Sequence, residues 1–185
     1  FSGYAPFLAG NRTIGPMIRR IPADRGNMLA MSFESPFGPF RVLILDTDLA
    51  ATTAAVFVSD KPLEEHLQEF RELANTYGRA VAIEPLLLGG NQPGGGNAGQ
   101  YGRALQAAGN RLLGIQAAQI NAVCDWLKPK ELRVHAYGPR SSTAAMIAAI
   151  LADAPLDSVN VHDALESFLQ PIEDEFDWGK NQALF

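Results

Sequence analysis

Strand patterns and helix patterns alternate three times between residues 54 and 162, and this alternation constrains the fold more than any other feature. Short strand-like runs at 54–59, 80–84, 132–137 and 158–162 are separated by helix-period segments at 62–77, 103–127 and 142–153. A helix that joins two neighbouring strands makes a crossover between parallel strands. Three crossovers in succession therefore predict a largely parallel sheet with helices on both faces.

An antiparallel hairpin precedes these crossovers. Residues 28–34 and 40–46 are rich in strand formers, and the five residues between them include two prolines and a glycine. The predicted fold is an α/β, three-layer α/β/α sandwich whose mostly parallel sheet begins with an N-terminal antiparallel hairpin. Residues 1–27 lack periodicity and are predicted to form an extended arm, and residues 28–185 to form one domain.

Composition excludes several classes of protein. The chain has 185 residues, of which 47% are hydrophobic and 19% charged, so it can bury a substantial core and is not a disordered chain. A net charge of −5 excludes a chain-wide basic footprint for nucleic acid. The sequence contains no apolar run of the roughly 20 residues that a membrane helix needs. We therefore predict neither a nucleic-acid nor a membrane partner. The chain contains a single cysteine, Cys124, which excludes an internal disulfide.

A glycine-rich stretch at 89–99 contains one match to a dinucleotide-binding pattern. Gly94, Gly96 and Gly99 satisfy G-x-G-x-x-G before a predicted helix. However, residues 85–93 separate the pattern from its strand, and the position of the expected acidic residue falls inside a helix. We predict no cofactor, and interpret the stretch as a loop at the carboxyl edge of the sheet, where ligand sites lie. The run Glu64-Glu65-His66 lacks a second histidine, so no metal site is predicted.

Residues 132–145 contain a strand, a sharp turn with small residues and then a helix, which is the architecture of a nucleophile elbow. Gly138 and Ser142 would fill the two flanking glycine positions of G-x-S-x-G. The central position, where a nucleophile belongs, is then Arg140. A serine follows one place later, as Ser141.

Together with residues 54–61, 77–85 and 112–127, this segment resembles the α/β-hydrolase superfamily, specifically its acetyl-xylan-esterase-like and dienelactone-hydrolase-like members. The resemblance extends from about residue 28 to residue 163 and implies an α/β-hydrolase-like fold. It also implies that Asp60 and Lys61 lie in the oxyanion loop, as ligand-binding residues, and that Asp163 is the catalytic acid. Ser141 would be a displaced nucleophile.

The histidines depart from this pattern. A triad needs a histidine after the acid, but the chain contains only His66, His135 and His162, and none follows Asp163. The fold also needs two further strands after residue 162. We therefore expect the domain to be truncated at its C-terminus, with another domain or chain completing the sheet. His135 is predicted to be a sheet histidine, and His162, at the end of a strand, to line a ligand site.

Two readings of Arg140 remain open. It would either hold a carboxylate or sulfate through a bidentate pair, or close a degenerate elbow and pair with Asp163 or Glu84. Two functions follow. One is an ester hydrolase that uses Ser141 with a base from outside this chain, acting on a carbohydrate ester. The other is a catalytically degenerate domain that binds such an ester or another small anionic ligand, or serves as a scaffold. The residues favour the second.

Overall fold

The computed structural model describes residues 19–20, 28–92, 98–127, 129–153 and 156–165. Seven strands of this described part form one sheet in the order β1-β2-β3-β5-β4-β6-β7. Strands β4, β5, β6 and β7 are parallel to one another, whereas β3 runs antiparallel to both β2 and β5. The strands are β1 Arg19–Arg20, β2 Met28–Phe33, β3 Phe40–Asp46, β4 Thr53–Ser59, β5 Arg79–Glu84, β6 Glu131–Tyr137 and β7 Ser158–His162.

Four α-helices lie within the described residues, and three of them pack on the two faces of the sheet. They are α1 Leu67–Tyr77, α2 Ala98–Ala107, α3 Leu112–Leu127 and α4 Pro139–Leu151, and a short 3-10 helix, Leu63–His66, leads into α1. The three predicted crossovers are present as β4-α1-β5, β5-α2-α3-β6 and β6-α4-β7. The α/β class, the three layers and the N-terminal hairpin are therefore confirmed.

The side chains of β4 show how the two cores form. Alternate residues of a strand point to opposite faces of the sheet. Val56 and Val58 belong to a core with residues of α3 and α4, whereas Phe57 belongs to a second core with Phe70 and Leu73 of α1. All these residues are buried, which explains why the sequence of β4 is continuously apolar.

One predicted helix is two. The expected helix at 103–127 is divided between α2 and α3 at Gly109 and Asn110. Gly109 has a φ of +81°, a conformation that favours glycine. Its N–H donates to the carbonyl of Gln106, and the N–H of Asn110 donates to that of Leu105. These bonds end α2 in the manner of a C-terminal cap, so the apolar periodicity alone was a poor guide to where the helix begins.

The two ends of the chain are mostly outside the described residues. Within the predicted arm at 1–27, Arg19 and Arg20 pair with Ala30 and Leu29 of β2, so they add to the sheet edge. The division into an arm and a domain stays a prediction. No described helix combines the length and the hydropathy needed to cross a bilayer.

The strand order places a topological switch point between β4 and β6. From β4 the chain passes to β5 on one side and later to β6 on the other side. In open α/β sheets, ligands bind beyond the carboxyl ends of the strands at such a switch point. Asp60 follows β4 and Gly138 follows β6, so both lie at this position.

Phe57→Ala tests the core on the α1 side. Phe57 is 1% exposed, and the centroid of its ring lies 4.9 Å from that of Tyr137 and 5.9 Å from that of Phe70. We expect the free energy of unfolding to fall by about 3–5 kcal/mol because the substitution leaves a cavity, as measured by urea denaturation. Leu49→Ala, at a side chain that is 82% exposed, is the control and should change it by less than about 0.5 kcal/mol. Equal losses in the two variants would contradict this assignment of the core.

His135 predicts a dependence of stability on pH. Burial lowers the pKa of His135, and the nearby charges of His162 and Arg133 lower this pKa further. The native state therefore favours the neutral ring, whose Nε2 lies 3.4 Å from Nδ2 of Asn160. Stability from this group is complete above the ordinary histidine pKa of about 6.5 and is lost as the pH falls below it.

We expect the free energy of unfolding to decrease from pH 7 to pH 5, and His135→Gln to make this decrease smaller. Urea denaturation at a series of pH values measures both. An unchanged pH profile in His135→Gln would show that another group is responsible.

Candidate functional site

Gly138 is the residue on the sharp turn between β6 and α4. Its φ is +103°, within the left-handed region that favours glycine, and α4 begins at the next residue, Pro139. The strand, turn and helix occur in the predicted order, but the helix begins three residues before position 142. The turn position that an elbow gives to its nucleophile is therefore occupied by Gly138, and Arg140 lies in the first turn of α4.

Asp60 fills the space beside this turn. A Cβ atom added to Gly138 would lie 2.7 Å from Cγ of Asp60 and 2.8 Å from its Oδ2. Carbon atoms do not approach other heavy atoms so closely without displacing them. The carboxyl group of Asp60 thus stands where the side chain of a larger turn residue would be.

The same carboxylate accepts hydrogen bonds from the N-terminus of α4. Its Oδ1 accepts from the N–H of Ser141 at 2.6 Å, and its Oδ2 accepts from the N–H of Arg140 at 3.1 Å. The N–H of Ser142 donates to the carbonyl of Gly138, and Pro139 has no N–H. A carboxylate at a helix N-terminus is stabilised both by these bonds and by the helix dipole. The position where an external anion would bind is therefore held by a residue of the chain itself.

Ser141 faces into the protein. Its side chain is fully buried, and its hydroxyl donates to the carbonyl of Tyr137 at 2.6 Å, with the carbonyl of Gly138 at 3.1 Å. Ser142 is also buried, and its hydroxyl donates to the carbonyl of Ala136 at 3.4 Å. Both hydroxyls bond to the backbone around the turn, which strengthens the join between strand and helix.

Arg140 connects the turn to the loop after β5. Its side chain is buried, and its Nη2 donates to the carbonyl of Leu87 at 2.9 Å. Burial lowers the pKa of Arg140, while the charge of Asp60 acts in the opposite direction. Glu84, one of the two expected partners, forms an ion pair with Arg41. The guanidinium of Arg140 is thus buried against the loop after β5 and does not lie on an open surface.

The other predicted site residues lie further from the turn or reach it by their backbone. The carbonyl of His162 accepts from the N–H of Gly138 at 2.8 Å, while its exposed ring stacks on Tyr137 with centroids 4.2 Å apart. Asp163 is exposed and has a φ of +54°. The ammonium of Lys61 lies 3.8 Å from a carboxylate oxygen of Glu65. The structure therefore brings Asp60, Arg140 and Ser141 together.

Two features of the site were missed by the sequence analysis. The first is Gly138 at the nucleophile position, where the sequence pattern predicted Arg140. Pro139 could have indicated it because proline is favoured at the first helical position. The second is the role of Glu84, which the sequence indicated only as a partner of Arg140. It is a buried carboxylate at the end of β5 that accepts from the N–H groups of Gly90 and Leu63.

The glycine-rich stretch lies only partly within the described residues. Gly99 lies within α2, whereas Gly94 and Gly96 lie outside the described residues. In the described part of the chain, no three His, Cys, Asp or Glu side chains are grouped so that they could hold a metal ion.

Comparisons with known proteins give structural matches only, since no family model and no curated protein matches the chain. A protein assigned as an acetyl xylan esterase from Bacteroides fragilis is 12% identical, with a TM-score of 0.59, and the match covers 81% of this chain and 48% of that protein. A cold-adapted esterase from an Arctic intertidal metagenomic library is 11% identical, with a TM-score of 0.57, and the match covers 80% of this chain and 63% of that protein.

An epoxide hydrolase from an endophytic Streptomyces is 17% identical, with a TM-score of 0.51, and the match covers 74% of this chain and 37% of that protein. The chain thus spans less than two thirds of the length of each of these proteins. At such low identity the likeness shows the fold alone, and this fold is the α/β-hydrolase fold that the sequence predicts.

Proposed function

We propose that this chain is an α/β-hydrolase-like domain with a degenerate elbow, which serves a binding or scaffold role in a protein of the carbohydrate acetyl-esterase type. The observation that carries the proposal is the carboxylate of Asp60, which occupies the space and the hydrogen-bond donors of the turn at Gly138. Three requirements of ester hydrolysis bear on it: a nucleophile, an oxyanion hole and a base.

The nucleophile is the first missing part. In an elbow the nucleophile is the turn residue, which presents its side chain to the substrate. Gly138 has no side chain to present. The nearby Ser141 is fully buried and donates its hydroxyl proton to a backbone carbonyl of the turn. Because this hydroxyl is buried and already hydrogen-bonded to the backbone, a substrate cannot reach it.

The second missing part is the oxyanion hole. One of its donors is the backbone N–H of the residue that follows the nucleophile, and here that residue is Pro139, which has no N–H. The next two N–H groups, of Arg140 and Ser141, donate to Asp60. A negatively charged intermediate would therefore meet a carboxylate where it needs donors.

The third missing part is the general base. The chain contains three histidines, and none follows Asp163. The ring of His66, in the 3-10 helix before α1, packs against that of Tyr137 with centroids 5.5 Å apart. His135 is a buried sheet residue, and the ring of His162 is stacked on Tyr137. An active site would therefore need a histidine from outside this chain.

A scaffold role fits the contacts that replace the catalytic parts. Asp60 joins the loop after β4 to α4, and Arg140 joins α4 to the loop after β5. These buried polar contacts fix the loops at the carboxyl edge, where a hydrolase keeps open space. The proposed partners are a carbohydrate ester or other small anionic ligand, and another domain or chain that completes the sheet beyond β7.

The catalytic part of the proposal is tested with p-nitrophenyl acetate. We expect the full chain to give no turnover above the rate in buffer and to remain unlabelled at Ser141 by a fluorophosphonate probe. Ser141→Ala should therefore match the parent chain, as should Ser158→Ala, a matched control on β7. Turnover that Ser141→Ala abolishes and Ser158→Ala retains would overturn the proposal in favour of an active ester hydrolase.

Asp60→Ala tests the structural role of the carboxylate. The substitution leaves the N–H groups of Arg140 and Ser141 without their acceptor, so we expect a loss of about 1.5–3 kcal/mol in the free energy of unfolding. Asp60→Asn keeps one carbonyl acceptor and should lose less. The exposed Asp153→Ala is the control in the same urea denaturation series. A loss in Asp60→Ala no greater than in the control would contradict the role given to this contact.

A further inference from the structure

A groove with a volume of about 300 Å³ lies where β5 ends and β3 begins. We call it the Arg41 groove, and it is lined by Ser32, Pro39, Phe40, Arg41, Glu84, Gly90 and Asn91. Ligand sites of α/β sheets lie beyond the carboxyl ends of the strands, and Glu84 is the last residue of β5. The groove is therefore at the ligand-binding edge of the sheet but is lined by other residues than the turn at Gly138.

The guanidinium of Arg41 is held in one orientation. Its Nε donates to Glu84, and its Nη2 lies 3.5 Å from a carboxylate oxygen of Glu64. The hydrogen bond to Glu84 is the main reason that the pKa of Arg41 is raised. The Glu84 side chain is 5% exposed, whereas that of Arg41 is 44% exposed. Because Glu84 and Glu64 already hold the guanidinium of Arg41 while its side chain is partly exposed, Arg41 loses little rotamer freedom when a ligand binds.

Glu84 also positions the other polar groups of the groove. Its Oε1 accepts from the N–H of Gly90 at 2.9 Å, and its backbone carbonyl accepts from Nδ2 of Asn91 at 3.3 Å. A Cβ at Gly90 would lie 2.7 Å from Oε1 of Glu84 and 3.0 Å from Nη2 of Arg41. Glycine at position 90 thus keeps the space next to the ion pair open.

The charges around the groove select against an anion. Arg41 carries one positive charge, whereas Glu64 and Glu84 carry two negative charges between them. The polar groups include donors and acceptors: a guanidinium has five N–H donors, of which these carboxylates engage two, and Ser32 and Asn91 can both donate and accept. This combination matches a hydroxyl group, which also donates and accepts.

We propose that the Arg41 groove binds a neutral, polyhydroxylated small molecule about the size of one sugar ring. Arg41 donates to its hydroxyl oxygens, and Ser32 and Asn91 fix its orientation. The volume of the groove is at the lower end of the range for small-molecule sites, about 300–1,000 Å³, and so fits a single ring. This binding involves no group of the turn at Gly138, so it holds whether or not the chain hydrolyses esters.

The test is an amide NMR titration of the full chain with methyl β-D-glucopyranoside. We expect saturable shift changes at Ser32, Arg41, Gly90 and Asn91, with a dissociation constant in the millimolar range. Ser32→Ala and Asn91→Ala should each weaken binding about 5-fold, which corresponds to one hydrogen bond of about 1 kcal/mol. Ser158→Ala, a serine on β7, should leave the dissociation constant unchanged.

Two further probes test whether the groove prefers a ligand with several hydroxyl groups to one with a single hydroxyl group or to an anion. Cyclohexanemethanol, a ring with one hydroxyl group, and sodium acetate, an anion, should each change these amide shifts less than the glycoside does. The proposal is overturned if the glycoside causes no saturable shifts at the four amides. It is also overturned if acetate shifts them more strongly, or if both alanine variants bind as tightly as the parent chain.

Discussion

The contact between Asp60 and the first turn of α4 is the interaction on which the carboxyl edge of the sheet depends. One carboxylate accepts from two backbone N–H groups that would otherwise lack an acceptor in the helix. In doing so it holds the loop after β4 against the N-terminus of α4. In an α/β-hydrolase fold this position is open to a substrate, whereas here a side chain of the protein fills it.

Other buried polar groups extend this arrangement along the edge. Arg140 donates to the carbonyl of Leu87, and Gln116 and Gln119 of α3 bond to the backbone of Leu86. Each of these side chains is buried, so breaking a bond would leave a polar group without a partner in the interior. The loop after β5 is thus held by side chains of α3 and α4, and the loop after β4 is held by the bonds of Asp60 to the N-terminus of α4. Such an edge is suited to a constant shape, which is what a scaffold requires.

Most of the fold follows from local patterns, but the site does not. Strands β2 to β7 are predictable to within about a residue because their apolar runs are bounded by turn residues such as Gly78 and Gly138, whereas β1 lies in the stretch predicted as an extended arm. The break at Gly109 is obscured because the apolar period continues on both sides of it. The part played by Asp60 is hidden for another reason: its partner Arg140 is 80 residues away, and no local pattern records a contact at that separation.

The close approach of Gly138 and Asp60 makes their identities interdependent. A serine at position 138 would collide with the carboxyl group, and a smaller residue at position 60 would by itself expose two unpaired N–H groups. Each single change is therefore harmful unless the other is already present. Any route that places a larger side chain at this turn by single substitutions therefore passes through a destabilised sequence, which favours retention of the present pair.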